Sequence, residues 1–421
     1  MINKLRSKIY ILLRKSEKFF QTDMVYLAKG GFWLTLGQIV SSLSSFLLAI
    51  AFANLLPKET YGTYKYVLSL VGILSVFTLS GMGTSLTRSV ARGFEGSLKP
   101  ILKEKIKWGS IGSIVSLGIA TYYYLNGNPT LTICFVMTTV FLPFMDSFNI
   151  YISFLNGRKN FKLASKYHII TQLISSTLMI LILIFSKNIL LILFTYFISY
   201  TSCRFIFFKL TTKKEKPNSR IETNTTSYGK HLSLMNVVGL IASQIDKILV
   251  FHFLGAAELA IYSIAIAMPE QIKGFLKNIN TLSLPKFSEK SIIEIKKTIY
   301  QKIKKLFLVL ILIVILYWLT APYIFKIFFP RYIDSLYFSR LLGISLIAVP
   351  TTIFTSFLQS QKYKKELYKL NIIGNLINIA LSFFFIYYFS ILGAIFAKII
   401  SRFFILIYSY FLTAKKFTHD I

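Results

Sequence analysis

Long apolar runs separated by short polar stretches recur along almost the whole chain of 421 residues. A helix needs about 20 apolar residues to cross about 30 Å of hydrocarbon, so each run predicts one membrane-spanning helix. Twelve spans are predicted, at residues 31–56, 66–87, 109–125, 130–154, 167–185, 189–208, 232–255, 258–285, 306–321, 336–360, 370–389 and 392–412. The pattern therefore predicts an all-α polytopic membrane protein.

A polar stretch between the sixth and seventh predicted spans divides the chain into two halves. The predicted organisation is a basic amphipathic segment at 1–30, an N-terminal six-helix lobe at 31–208, a linker at 209–231, a C-terminal six-helix lobe at 232–412 and a tail at 413–421. Apolar residues of the first segment, among them Ile9, Leu12 and Phe19, predict a helix that lies on the membrane surface.

The two halves share a short internal repeat. FANLLPKETYGTYKYVLSL begins at Phe52 and FHFLGAAELAIYSIAIA begins at Phe251. Each stretch has a Leu, a turn residue, a Glu and then a Tyr that opens the next helix. Since each half has an even number of spans, both have the same orientation, which predicts a parallel repeat around a central cavity. Rocking of two such lobes gives alternating access.

Composition and charge narrow the class of protein. Charged residues make up 15% of the chain, against about 25% in soluble domains. The net charge of +32 is unevenly placed: with the N-terminus inside, inward segments hold 36 Lys and Arg and outward loops hold 5. Basic residues favour the cytoplasmic side, so both termini and the linker are predicted to be cytoplasmic. This placement explains the basic character without nucleic acid.

Five short stretches resemble one transporter family: KGGFWLTLGQIV (29–40), LLPKETYGTY (55–64), GMGTSLTRSVAR (81–92), SQIDKILVFHFLG (243–255) and ELAIYSIA (258–265). With the twelve-span layout, they resemble the Wzx-type polysaccharide-biosynthesis flippases of bacteria, in the multidrug/oligosaccharidyl-lipid/polysaccharide (MOP) superfamily. The resemblance implies a non-enzymatic flippase that moves undecaprenyl-diphosphate-linked oligosaccharides across the bacterial inner membrane by alternating access. The product would be O-antigen, capsule or exopolysaccharide.

The resemblance also implies partners. These are membrane lipids, a polysaccharide polymerase and a chain-length regulator, and we expect the flippase itself to be a monomer. No cofactor or metal is expected, because Cys134 and Cys203 fall in spans and match no metal-ligand spacing. Two alternatives stay open. An ion-coupled multidrug exporter would need a more acidic cavity, and a membrane polymerase or ligase would need a larger outward loop than the 14 residues of 322–335.

Basic residues inside the spans are candidates for binding the diphosphate, because a charge near the bilayer centre costs about 2.5–3.5 kcal/mol on insertion scales. The predicted substrate-binding residues are Arg88, Lys247, Lys273 and Arg340. Each has a structural alternative. Lys247 would belong to an ion pair, and the other three would reach the headgroups or anchor at the interface.

Acidic residues inside the spans are candidates for ion coupling or for structural pairing. They are Asp146, Asp246 and Glu270. Lys398 and Arg402 lie one turn apart on the last span and are interpreted as a headgroup-facing or solvated stripe rather than a site. Small residues at every fourth position of the first span, from Gly37 to Ala53, are interpreted as a packing face.

Overall fold

The computed structural model describes residues 24–276, 292–361 and 363–419, and over these ranges the chain is helical apart from short connections. Its α-helices are α1 (Met24–Leu55), α2 (Lys58–Leu74), α3 (Gly81–Ala91), α4 (Leu98–Leu125), α5 (Pro129–Met145), α6 (Ile150–Gly157), α7 (Phe161–Phe185), α8 (Ile189–Lys214), α9 (Thr225–Ala242), α10 (Ile245–Leu254), α11 (Ala256–Leu276), α12 (Ile292–Phe328), α13 (Ser335–Gly343), α14 (Thr351–Ser360) and α15 (Lys364–His419). Most of the predicted amphipathic segment, residues 1–23, lies outside the described residues.

Within the described residues, the helices account for every predicted span; residues 277–285 of the eighth span lie outside them. Eight helical stretches in the described ranges are long and apolar enough to cross a membrane, and the pair α2 and α3, bent by 44°, makes a ninth. One of the eight, 364–417, holds two predicted spans. The two remaining spans fall on α4 and α11, which are helical but carry more polar residues. The prediction of an all-α multi-pass membrane protein is confirmed.

The last helix, α15, is two antiparallel limbs. Ser390 leaves the helical conformation, with φ 54° and ψ −135°, and the chain reverses there. Asn378 accepts a hydrogen bond from Ser401 at 3.2 Å, and Glu366 pairs with Lys416 at 3.1 Å. In both pairs, the two residues lie at similar sequence distances before and after Ser390. The limbs 364–389 and 391–419 therefore pack against each other from the turn at Ser390 to the Glu366–Lys416 pair.

The alternation of helices gives the molecule two faces. The linker side carries residues 215–224, between α8 and α9, and the far side carries the turns at Pro57, Gly255 and Ser390. Gly255 has φ +94°, a conformation that suits glycine, and it separates α10 from α11. Both stretches of the internal repeat end one helix and begin the next on the far side, so their equivalence is seen in the fold.

The two lobes meet tightly near the far side. The beginning of α2 packs against the beginning of α11, the equivalent helix of the other half. Gly62 lies so close to the backbone of Ala256 that a methyl group at position 62 would overlap it. One turn further on, the rings of Tyr66 and Phe251 stack with centroids 3.8 Å apart. Opening of the far side therefore requires these helices to separate.

Four predicted spans are broken within their apolar stretch, and one of them, the fourth, breaks at 146–149. The second breaks at Ser75–Thr78, where Leu79 has φ 55°. The seventh breaks at 243–244, and the tenth passes through the 3₁₀ segment Ile344–Ala348. A break leaves carbonyl groups without helical partners, and in the apolar interior these need other donors. At the first break, the buried Lys105 ammonium donates to the carbonyl of Thr78 at 2.5 Å.

The linker is fastened to the N-terminal lobe. Arg158 donates to Glu95 and to Glu215, each at 2.6 Å, and Ser89 donates to Glu222 at 2.5 Å. These carboxylates lie outside the spans. The hydrogen bond from Arg158 lowers the pKa of Glu95, and the hydrogen bond from Ser89 lowers the pKa of Glu222. The linker-side connection between the lobes is therefore a specific, charged contact.

Candidate functional site

Charged side chains converge inside the C-terminal lobe. Asp246, at the beginning of α10, is buried and pairs with Lys398 of the second limb of α15 at 2.5 Å. The hydroxyl of Tyr262, from α11, donates to the same carboxylate at 2.6 Å. Three helices thus meet at one carboxylate, and the pair satisfies two charges that would be costly alone in the apolar interior.

A second carboxylate links α11 to the second limb of α15, further from the far side than Asp246. Glu270 of α11 pairs with Arg402, which also donates to Ser345 at 2.7 Å. Lys273 lies 3.6 Å from the other oxygen of Glu270. The Arg402 side chain is only 11% exposed, whereas that of Lys273 is 44% exposed. Lys273 is therefore the member of this group that faces open space.

Two further lysines extend the group toward the N-terminal lobe. The Lys247 ammonium donates to Gln244 at 2.9 Å and is not among the ion pairs of the described residues. The charge of Asp246 attracts it most strongly, and the charges of Lys398 and Lys65 repel it. Lys65 lies in the second turn of α2, with its ammonium 5.3 Å from the ring centroid of Tyr61. Tyr66, next to Lys65, stacks on Phe251, which lies four residues after Lys247 in α10. With a rise of 1.5 Å per residue, Lys65 therefore lies about 7 Å nearer the far side than Lys247.

These residues form one group, which we call the cationic cluster: Lys65, Asp246, Lys247, Glu270, Lys273, Lys398 and Arg402. Five members are basic and two are acidic, so the cluster has three positive charges in excess. Because each uncompensated charge is costly between apolar helices, the cluster is suited to an anionic ligand.

Two adjoining cavities open beside the cluster. One, of about 520 Å³, is lined by Lys273 and Arg402 together with hydroxyl and amide side chains. The other, of about 690 Å³, lies between α9 and the first limb of α15. Asn371 and Asn375 line both cavities and so stand between them. Both volumes are within the range of small-molecule sites.

The structure separates the predicted site residues into two groups. Lys247, Lys273, Asp246 and Glu270 come together in the cationic cluster. Arg340 lies apart from it, on α13 near the far side, where it donates to the carbonyl of Trp318 at 2.8 Å. This contact is that of an interfacial anchor, the alternative given for Arg340.

Asp146 and Arg88 also lie outside the cluster. Asp146 pairs with Arg204 at 2.9 Å inside the N-terminal lobe. Arg88 is exposed near the linker side, over the ring of Tyr228 at 5.0 Å, where α3 packs against α9. Arg88 therefore lies at the seam between the lobes, and its binding of substrate stays a prediction.

Three members of the cationic cluster, Lys65, Lys398 and Arg402, were not among the predicted site residues. The interpretation of Lys398 and Arg402 as a headgroup-facing stripe was wrong, because both are paired with acids of other helices. The predicted second span begins at residue 66 and so places Lys65 in an outward loop, but α2 begins at Lys58 and holds Lys65 within a helix. The sequence did contain a signal for Lys398 and Arg402. Two basic residues one turn apart in one span, and two acidic residues in other spans, each need a partner of opposite charge.

The family is decided by the sequence itself. The family described as polysaccharide biosynthesis protein matches residues 27–291. The chain belongs to this polysaccharide biosynthesis protein family. The chain is also similar to an uncharacterized membrane protein of Methanocaldococcus jannaschii, with 22% identity over 344 residues. That match covers 74% of this chain and 66% of the archaeal protein.

Solved structures show which fold this family member has. It is similar to an inward-facing MATE family multidrug transporter of the MOP superfamily, with a TM-score of 0.68, 13% identity and 90% and 94% of the two chains covered. It is also similar to the lipid II flippase MurJ in an inward closed conformation, with a TM-score of 0.66, 14% identity and 93% and 89% covered. The predicted fold, two six-helix lobes around a central cavity, is confirmed.

A third similar structure is relevant for its charge. It is a MOP superfamily transporter from Pyrococcus furiosus, whose binding pocket is described as having reverse polarity, with a TM-score of 0.56, 13% identity and 93% and 95% of the chains covered. At such identities the likeness extends to the fold alone. Pocket charge differs among proteins of this fold, so the charge of the cationic cluster has to be interpreted from its own residues.

Proposed function

We propose that this polysaccharide biosynthesis family member flips an undecaprenyl-diphosphate-linked oligosaccharide across the bacterial inner membrane for O-antigen, capsule or exopolysaccharide assembly. The observation that carries the proposal is the excess of three positive charges in the cationic cluster. A diphosphate is the part of such a lipid that hydrocarbon excludes most strongly. Lysine ammonium groups bind phosphate oxygens through charge-assisted hydrogen bonds, and they compensate its charge during passage.

The positions of the free cations support this role. In the cluster, Lys398 pairs with Asp246 and Arg402 pairs with Glu270. The cations that remain are Lys65, Lys247 and Lys273, and the first two, on helices that meet between the lobes, are assigned to the diphosphate. Lys65 belongs to the N-terminal lobe and Lys247 to the C-terminal lobe. A diphosphate bound between them would contact both lobes, and rocking of the lobes would carry it from one side to the other.

Orientation and the lipid tail complete the mechanism. The linker side is the cytoplasmic side in this proposal, because the inward segments hold 36 of the 48 basic residues. The far side is closed by Gly62 against Ala256, so the substrate would enter from the linker side. Residues of α1 such as Phe32 and Leu43 are exposed, and the polyprenyl tail would stay in lipid along this helix while the diphosphate crosses.

An ion-coupled drug exporter is the second candidate, since the fold is shared with MATE transporters. Export of cationic drugs needs acidic groups that are free to bind the drug or the coupling ion. Asp146, Asp246 and Glu270 are each within 4 Å of a basic side chain. The polarity of the cluster therefore favours the anionic lipid.

Reconstitution into liposomes tests the proposal. A fluorescent undecaprenyl-diphosphate oligosaccharide is incorporated in both leaflets, and its movement is followed by quenching from outside. We expect faster movement with the protein than in protein-free liposomes, and a loss of most of this rate in Lys247→Gln. Lys326→Gln, the same change at an exposed position of α12, is the matched control and should keep the rate. Equal rates in protein-free and wild-type liposomes would refute the proposed function.

A further inference from the structure

The cavity of about 520 Å³ in the C-terminal lobe has a composition that phosphate binding does not explain. It lies between the 3₁₀ segment Ile344–Ala348, α14 and both limbs of α15. Its polar lining is mostly neutral: Ser345, Thr351, Thr352, Thr355, Asn371 and Asn375. Its apolar lining comes from small and branched side chains, among them Val349, Leu370 and Ile405. A diphosphate would leave most of these neutral groups unused.

The neutral groups are free to bind a polyhydroxylated ligand. The hydroxyls of Thr351, Thr352 and Thr355 donate to the carbonyl oxygens three residues earlier, at 2.7, 2.9 and 3.0 Å, so the hydroxyl lone pairs remain available as acceptors. The amides of Asn371 and Asn375 have no hydrogen-bond partner among the residues that the structure describes, and each offers both donors and an acceptor. Sugar hydroxyls both donate and accept, and the apolar side chains suit the C–H face of a sugar ring.

The charged wall adds a preference for an acid. Arg402 and Lys273 line the cavity, and both approach the single carboxylate of Glu270. Two cations with one acid leave one positive charge. Arg402 is held by Glu270 and Ser345, whereas the Lys273 ammonium is the more exposed of the two. One carboxylate on the ligand would balance the remaining charge.

The geometry points to this cavity as the site of a carboxylated sugar, a uronic acid in chemical class, in the oligosaccharide whose diphosphate lies at Lys65 and Lys247. This assignment rests on the proposed function. The adjoining cavity of about 690 Å³ begins at Asn371 and Asn375 and extends toward Tyr228 and Tyr368 near the linker side. It holds the following sugars, and the aromatic rings give them surfaces to stack on.

Binding of three defined lipids to the purified full-length protein tests the assignment. The probes are a fluorescent polyprenyl diphosphate without sugar, one with N-acetylglucosamine and one with glucuronic acid. We expect wild-type protein to bind the glucuronosyl lipid most tightly. Lys273→Gln should weaken binding of that lipid about tenfold, as expected for loss of one charge-assisted hydrogen bond, and weaken binding of the sugar-free lipid much less. Asn375→Leu should weaken both glycosylated lipids and spare the sugar-free one.

Controls separate this assignment from the proposed function. Lys247→Gln should weaken all three lipids alike, whereas Lys326→Gln and Thr320→Val, at exposed positions of α12, should change none. Thr355→Val, a nearly isosteric change, replaces Asn375→Leu if the latter does not fold. Equal wild-type affinity for the neutral and acidic sugars, or equal losses for the sugar-free lipid in Lys273→Gln, would overturn the assignment while the diphosphate site stands. Absence of binding by all three lipids would overturn both.

Discussion

Replacement of Asp246 by asparagine is the sharpest test of how the C-terminal lobe is held together. The Asp246 side chain is 6% exposed and that of Lys398 is 19% exposed, with 2.5 Å between their charged atoms. Removal of one partner from a buried pair costs about 3–5 kcal/mol, because the other charge is left buried. Lys398 is partly exposed and also lies 3.4 Å from the hydroxyl of Tyr262. We therefore expect the free energy of unfolding to fall by about 3 kcal/mol, the lower end of that range.

The assay combines two measurements, the amount of folded protein in the membrane and the midpoint of thermal unfolding in detergent. The double variant Asp246→Asn, Lys398→Met removes both charges and should recover most of the loss. Asp146→Asn is the matched control, since Asp146 pairs with Arg204 but is 32% exposed, and its loss should be about 1 kcal/mol or less.

Three results would contradict the reasoning on Asp246. They are wild-type stability of Asp246→Asn, a loss no larger than that of Asp146→Asn, or a double variant as unstable as the single one. Normal abundance together with transport that no longer depends on an ion gradient would instead show that Asp246 couples transport to a cation.

Three further predictions concern the cluster, the linker and the orientation. Lys65→Gln should slow transport of the anionic lipid as strongly as Lys247→Gln at normal abundance, and Arg at either position should restore part of it, because charge is kept while geometry changes. The protection of the linker amides from hydrogen exchange, relative to the intrinsic rate at each pH, should fall in wild-type protein only below pH 4.5. The reason is that the hydrogen bond from Arg158 lowers the pKa of Glu95 from 4.5 in the folded state, and protonation removes this bond. In Arg158→Gln this protection should already be lost at neutral pH. A cysteine introduced at residue 219 should react with an impermeant maleimide only after permeabilisation, and labelling in intact cells would reverse the proposed orientation.

The sequence alone determined where the membrane-spanning helices lie along the chain. A membrane span needs a continuous apolar stretch, so hydropathy along the chain is sufficient to find it. Over the residues that the structure describes, all twelve predicted spans fall on helices, including 370–389 and 392–412, which are the two limbs of α15. The family was also readable, because its short motifs are local stretches such as 243–255.

Tertiary structure alone decided where those helices break and which charges meet. The break at Ser75–Thr78 lies inside the predicted span 66–87, so hydropathy along the chain does not reveal it. The hydrogen-bond donor that stabilises the break, Lys105, comes from another helix. Lys398 is 152 residues from Asp246 in the chain. A buried charge requires a partner, which the sequence can state, but the choice of partner depends on how helices pack, and packing is set by contacts between distant segments.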